Sequence, residues 1–288
     1  MINQIVTDPN LVWDSNSVQM SDLYFPLYRK LKTLSVENKH VDQFRTQFLD
    51  GNKGIGIIDL KLISDDINVQ TRIYKDIVEK LGTCLVQNIA GETVVSVKDA
   101  GKSMSSGARY HQSREGGSLH TDGPHFEKRP DYVGLFCVRK AKLGGVGQYL
   151  SAYSIHNELL KSDPKALKIL YRPFHFDKRG EVVGSESPTI FEPIFESDGK
   201  TLSFRYLSEY VKDGHIKVTQ PLTKEQDNAL DLLDALLKNS THIVRHNFES
   251  GEVLFLNNYR IAHGRSSFTD YSNQNYRRLM LRTWIMGR

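Results

Sequence analysis

The sequence predicts a mainly β protein with flanking helices: a double-stranded β-helix, or jelly roll, carrying added helices. Three observations carry that prediction. Short apolar runs recur between Gly, Asp, Ser and Pro turns, segments with helical spacing lie around them, and no repeat, linker or low-complexity stretch divides the chain. At 288 residues the chain is near the length where a single core stops growing. It reads as one domain over residues 1–288, with residues 1–106 as a helix-and-strand support region and residues 107–288 as the jelly-roll core that bears the site.

Helical spacing predicts helices over residues 21–35, 65–81, 154–161 and 223–237. Asp65 and Asp66 open the second and suit the positive end of a helix dipole. Thr223 precedes Gln226 by three residues at the head of the fourth, as in a capping box. Strands are expected over residues 55–60, 85–89, 132–138, 147–150, 201–206, 253–256 and 278–285, and the β-branched run at 241–248 also reads as a strand.

Hydrophobic residues make up 39% of the chain and charged residues 25%, ordinary for a globular protein with ample core. The net charge of +4 is spread along the sequence, and the one dense cluster, Arg139-Lys140-Ala141-Lys142, reads as a solvated strand end, so no nucleic-acid partner is expected. The first residues lack a basic region followed by an apolar stretch, and no apolar run is long enough to cross a bilayer; neither a targeting segment nor a membrane partner is expected. Two cysteines, Cys84 and Cys137, do not suggest a secreted disulfide framework, which favours a reducing cytoplasm. Oligomeric state is left open.

Chemistry concentrates in two places. On a strand, alternate side chains share a face, so His120 and Asp122 of His120-Thr121-Asp122 project together. With His263 from a distant strand they would form a two-histidine, one-carboxylate facial triad, which leaves neighbouring positions on ferrous iron open to a chelating oxoacid and dioxygen. In the last apolar strand Arg278, Met280 and Arg282 share one face, while Arg277 lies on the other with Leu279 and Leu281. Guanidinium groups inside an apolar strand call for an anion, and a planar fork engages a carboxylate with two parallel hydrogen bonds.

The order and spacing of these pieces resemble the iron(II) and 2-oxoglutarate-dependent oxygenases of the taurine dioxygenase and clavaminate synthase-like group. The resemblance covers residues 107–287. It rests on Gly116-Gly117-Ser118-Leu119-His120-Thr121-Asp122, the strand at 132–138, Gly144-Gly145, residues 251–258, His263-Gly264-Arg265 and the arginine-rich terminal strand. It implies that His120, Asp122 and His263 hold Fe(II), that Arg278 clamps the distal carboxylate of 2-oxoglutarate, and that Arg282 sits beside it near the substrate. Members carry a Thr or Ser shortly after the Gly-Gly pair to hydrogen-bond the oxoacid. Gly147 stands there in this chain, with Gln148, Ser151 or a water as candidate replacements. Asp122 is present, whereas halogenating relatives lack that carboxylate, so hydroxylation or a related oxidation is expected.

That likeness further implies that 2-oxoglutarate and O2 are co-substrates, that oxidative decarboxylation yields succinate and CO2, and that hydrogen is removed from an unactivated carbon of a small substrate. Gln112, Arg114, Arg205 and Arg265 are candidate substrate residues, and several arginines together point to a small anionic molecule, an amino acid or amino-acid-derived metabolite first. A small sulfonate or other organic acid is the alternative substrate class. A non-catalytic jelly roll that binds metal and a small acid, and a zinc hydrolase, are the alternative functional classes. His125 follows the Gly123-Pro124 turn and is not expected in the metal shell; His242 and His246 are not expected to form a second site.

Overall fold

The computed structural model describes residues 13, 18–31, 33–51, 53–88, 90–101, 112–180 and 187–288. In chain order the first strands are β1 (Ile55–Asp59), β2 (Gly82–Cys84), β3 (Val94–Val97), β4 (Gly117–His120), β5 (Tyr132–Arg139), β6 (Leu143–Gly144) and β7 (Gly147–Ser151). They are followed by β8 (Pro173–Asp177), β9 (Thr189–Pro193), β10 (Phe195–Ser197), β11 (Leu202–Phe204), β12 (Val244–His246), β13 (Glu252–Asn257), β14 (Ile261–Arg265), β15 (Phe268–Thr269) and β16 (Leu279–Gly287). Six α-helices accompany them among the described residues: α1 (Asn38–Phe44), α2 (Ile67–Leu81), α3 (Ala152–Ser162), α4 (Pro164–Leu170), α5 (Ser208–Lys217) and α6 (Lys224–Asn239).

The larger sheet runs β1-β13-β5-β16-β2, with β3 also paired to β16, and the smaller runs β12-β7-β14-β4. The pairings within both are antiparallel. Alternation then sorts the side chains into layers. Val133, Cys137, Tyr149, Leu254, Leu256, Ile261, Met280 and Trp284 form one apolar cluster drawn from both sheets, the filling between them. Their neighbours Phe136, Val253, Phe255 and Ile285 point the other way and pack on Ile73, Tyr74, Ile77 and Leu81 of α2. Leu119, Leu150 and Ala262 do the same on the smaller sheet, against α3, α4 and α6.

Local chemistry explains the long helices. The Asp66 side chain accepts from the Asn68 amide at 2.8 Å to start α2. Thr223 and Gln226 exchange reciprocal hydrogen bonds at 3.2 and 3.0 Å to start α6. The helix expected over 21–35 is instead two 3-10 turns, Met20–Leu23 and Leu27–Arg29, because Pro26 between them offers no amide donor and disfavours helical backbone at the residue before it, and Tyr24 is extended. Phe25 donates its amide to the Ile57 carbonyl at 2.8 Å and so ties this segment to β1. The strand expected over 85–89 lies earlier, at β2, because Gln87 turns inward and donates to the Thr93 and Arg282 carbonyls at 2.8 and 3.0 Å.

A buried polar network closes the far side of the interior: His246 Nε2 lies 2.8 Å from Glu252 Oε2, and the Tyr24 hydroxyl donates to Glu252 Oε1. Cys84 and Cys137 are both free thiols. Among the described residues no helix is long and apolar enough to cross a membrane.

Candidate metal centre and cleft

Leu119 and Ala262 point into the outer cluster, so the next residues along their strands, His120 and His263, face the space between the sheets. The two histidines are cross-strand partners, and His263 is paired on its other side with Tyr149. Asp122 lies just beyond the end of β4. Thr121 is tied to Tyr206 by two hydrogen bonds of 2.9 and 3.0 Å, and Gly123 adopts a left-handed φ of 62° that turns the chain away. Asn258, on the turn between β13 and β14, fixes the Asp122 backbone. Its side-chain oxygen accepts the Asp122 amide at 2.8 Å, and its amide nitrogen donates to the carbonyls of Asp122 and Pro130 at 2.8 and 3.1 Å.

One ligand atom from each of His120, Asp122 and His263 lies within 4.8 Å of the others. His120 Nε2 is 3.7 Å from Asp122 Oδ1, and His263 Nε2 is 3.8 Å from Asp122 Oδ2. These separations are beyond a hydrogen bond and open toward a shared point. Nδ1 of His120 lies 2.8 Å from the Ser118 carbonyl, which only accepts, so that nitrogen carries the proton and Nε2 keeps its lone pair. The donor set of two imidazoles and one carboxylate fits ferrous iron.

Electrostatics favour the same state. Burial acts to raise the Asp122 carboxyl, but the Arg282 charge and the two imidazoles outweigh it and hold the group well below the usual carboxylate range. Burial pushes His263 down to about 4, against the pull of Asp122. The carboxylate is also anchored from behind: Trp284 Nε1 donates to Oδ2 at 2.7 Å, and Arg282 Nη1 donates to Oδ1 at 3.3 Å. Arg282 is itself oriented, with Nε donating to Gln87 Oε1 at 2.9 Å and its guanidinium 4.8 Å above the Trp284 ring.

His120, His263, Tyr149, Arg265, Arg278, Met280 and Arg282 line one cleft. Arg278 is 7% exposed, and burial lowers its pKa. Asp270 accepts its backbone amide at 2.8 and 3.1 Å, whereas among the described residues the guanidinium has only a long contact of 3.5 Å to the Val97 carbonyl and a stack on Phe268. No carboxylate salt bridge to it occurs among the described residues. Arg277 turns away and donates to the Tyr271 and Ser272 carbonyls.

The other expected site residues divide. Arg265 lines the cleft while its guanidinium holds the Ser113 and Glu115 carbonyls. Gln148 is not brought to the cleft. The period of two places Gly147 and Tyr149 there and turns Gln148 to the other face. Arg205 is not brought there either, for it is buried and donates to the carbonyls of Pro124 and Phe126 at 2.8 and 2.7 Å, bracing the turn after Asp122. Gln112 and Arg114 sit in the segment leading to β4, where the Arg114 carbonyl accepts from Phe268, and neither lines the cleft. His125 stacks on Phe126 and Tyr210 outside the metal cluster. His242 and His246 each face a glutamate. Tyr149, Trp284, Asn258 and Gln87 belong to the site and were not singled out from the sequence; two of them were marked by spacing, Tyr149 two residues after Gly147 and Trp284 two after Arg282.

Fold and site together define a jelly-roll protein with a two-histidine, one-carboxylate centre. The sequence pattern of the Taurine catabolism dioxygenase TauD, TfdA family matches residues 39–284, and the chain belongs to that family. It is 31% identical over 210 residues to FR-33289 synthase of Streptomyces rubellomurinus (strain ATCC 31215), covering 71% of this chain and 60% of that protein. It is 26% identical over 157 residues to Gamma-butyrobetaine dioxygenase of Homo sapiens, covering 52% and 40% respectively. The chain thus spans 40% to 60% of the length of these relatives. Among solved structures, asparagine oxygenase in complex with Fe(II), 2S,3S-3-hydroxyasparagine and succinate superposes with a TM-score of 0.66 at 18% identity, over 86% of this chain and 78% of that one. The non-heme iron oxygenase OrfP in complex with Fe, succinate, and (3S)-hydroxy-L-Arg gives 0.63 at 16% identity, over 91% and 84%. The fold is shared with both.

Proposed function

We propose that this protein is an Fe(II)- and 2-oxoglutarate-dependent dioxygenase that hydroxylates a small amino acid or amino-acid-derived metabolite. The net reaction consumes 2-oxoglutarate, O2 and one C–H bond and gives succinate, CO2 and the alcohol. The observation that carries this reading is the sharing of one cleft by the His120, Asp122 and His263 cluster and the buried guanidinium of Arg278. Iron held by those three side chains supplies the activation of dioxygen. Arg278 meets the distal carboxylate of 2-oxoglutarate with its planar fork. Arg282 and Trp284 keep the Asp122 oxygens aimed, and Leu135, Phe248 and Met280 form an apolar lining that limits water.

Two observations favour the amino-acid class. Arg265 and Arg282 make the cleft cationic, which suits an α-carboxylate. The solved neighbours named above hold hydroxyasparagine or hydroxy-L-Arg. We read the whole chain as one such oxygenase domain, and the free thiols accord with a reducing cytoplasm.

The test is to add ferrous iron and then 2-oxoglutarate to metal-free protein without oxygen and record the visible metal-to-ligand charge-transfer band of the chelated oxoacid. Iron bound without that band overturns the reading. With the band present, succinate release stimulated by amino acids supports the substrate class, and stimulation by sulfonates alone overturns it.

A further inference from the structure

Tyr149 is 1% exposed, lines the cleft, and carries a hydroxyl with no hydrogen-bond partner among the described residues. The ring is buried while the hydroxyl opens on the cleft, so a polar group that the cleft receives is its natural partner. Its position is set by its neighbour. A Cβ built on Gly147 would overlap the Tyr149 hydroxyl oxygen and press on ring carbons Cε2 and Cζ at 3.0 Å. The phenol therefore fills the volume that a side chain at residue 147 would occupy, and glycine is required there for that reason. Both residues lie on the interior face of β7, and Tyr149 is the cross-strand partner of the metal-ligating His263.

We propose that the Tyr149 hydroxyl donates a hydrogen bond to the oxoacid held by Arg278, supplying from residue 149 the hydroxyl that relatives present near residue 147. The inference rests on the functional reading given above. It adds the pairing of Gly147 with Tyr149 as the device that replaces the missing Thr or Ser. The phenol is suited to donation, because burial holds its pKa far above the usual tyrosine range even against the nearby charge of Arg278. The same geometry leaves Gln148 and Ser151 out of the role: Gln148 faces away, and the Ser151 hydroxyl caps α3 by accepting from the Tyr153 amide at 3.2 Å.

Equilibrium binding of 2-oxoglutarate to the iron(II)-loaded protein without oxygen tests this, with iron affinity measured in parallel. Tyr149→Phe keeps the ring and removes only the hydroxyl. The expected result is a rise in the 2-oxoglutarate Kd of about tenfold at unchanged iron affinity, the effect of losing one hydrogen bond to a charged group. Gly147→Ser in a Tyr149→Val background restores a hydroxyl from the neighbouring position on the same face, and is expected to recover most of the affinity that Tyr149→Val loses. Unchanged 2-oxoglutarate affinity in Tyr149→Phe overturns the proposal. So does a parallel loss of iron affinity, which would make Tyr149 a support for His263. Absence of 2-oxoglutarate binding by the wild-type protein overturns the functional reading itself, and is told apart because it appears before any substitution is made.

Discussion

Trp284 donates its indole N–H to Oδ2 of Asp122 at 2.7 Å, and this bond joins the last strand to the carboxylate of the candidate metal cluster. The donor is neutral and its position is fixed by packing between the sheets, so it sets the carboxylate's direction without adding charge. Trp284→Phe retains the ring contacts and deletes the donor. Iron affinity is expected to fall by about tenfold or more, the usual cost of losing a partner that orients a ligand. Competition with a chelator measures it, with thermal melting as the control for fold; a folded variant of unaltered affinity would show that Arg282 alone orients Asp122.

Arg278 should show opposite effects on binding and on stability. A buried guanidinium with no carboxylate salt bridge among the described residues costs the ligand-free protein free energy, since taking a cation out of water is repaid only by a good partner. Arg278→Met is therefore expected to leave the melting temperature of the ligand-free protein unchanged or raised. The same variant should lose at least about 2 kcal/mol of 2-oxoglutarate binding, roughly thirtyfold in Kd, while still binding iron. Calorimetric titration read beside melting curves separates the two. Arg277→Ala is the control, because Arg277 faces the Tyr271 and Ser272 carbonyls outside the cleft.

Much of this arrangement was legible because strand periodicity is strict. The shared face of Arg278, Met280 and Arg282 follows from counting by two; the expectation that Gln148 replaces the missing hydroxyl overlooked the same count, which turns it to the other face from Gly147 and Tyr149. Thr223 with Gln226 announced α6, whereas α4 was not expected from the sequence although Asp163 caps it by accepting from the Lys165 and Ala166 amides at 2.9 and 3.0 Å. What could not be read were side chains whose partners are remote in sequence. Gln87 reaches Arg282 across 195 positions, and Arg205 reads from sequence as a substrate residue because nothing local reveals that the turn after Asp122 supplies its acceptors. The volume shared by Gly147 and Tyr149 is a tertiary fact for the same reason, since a glycine in a strand does not say what presses against it.

His156 gives the fold a pH dependence apart from the candidate metal cluster. It sits on α3 with Tyr171 and Phe195 packed edge-on against it, and its Nδ1 is buried without a hydrogen bond. Burial lowers its pKa below the ordinary value, so the folded chain resists a proton that the unfolded chain accepts. The stabilisation is thus complete above the unfolded pKa of about 6.5 and is lost as pH falls below that value through the lowered folded one. Melting curves from pH 7.5 to pH 5 should show a shallower decline for His156→Phe than for the wild type. Parallel declines would mean that other groups account for the acid sensitivity.

Asn258 separates the backbone that carries Asp122 from the side-chain contacts that aim it. It is fully buried and its side chain makes three hydrogen bonds, accepting from the Asp122 amide and donating to the Asp122 and Pro130 carbonyls. Asn258→Ala strands all three backbone groups and is expected to cost about 3 kcal/mol or more of stability, the scale for unsatisfied buried polar groups. Asn258→Asp is the sharper variant. Its carboxylate can still accept the Asp122 amide but places negative charge against two carbonyl oxygens that have lost their donor, beside a carboxylate that is already ionised. At neutral pH Asn258→Asp should therefore unfold at lower denaturant than Asn258→Ala despite being closer in shape to asparagine. The reverse order in urea titrations would mean that the acceptor bond to the Asp122 amide outweighs both donor bonds, and that the turn is held mainly through that single contact.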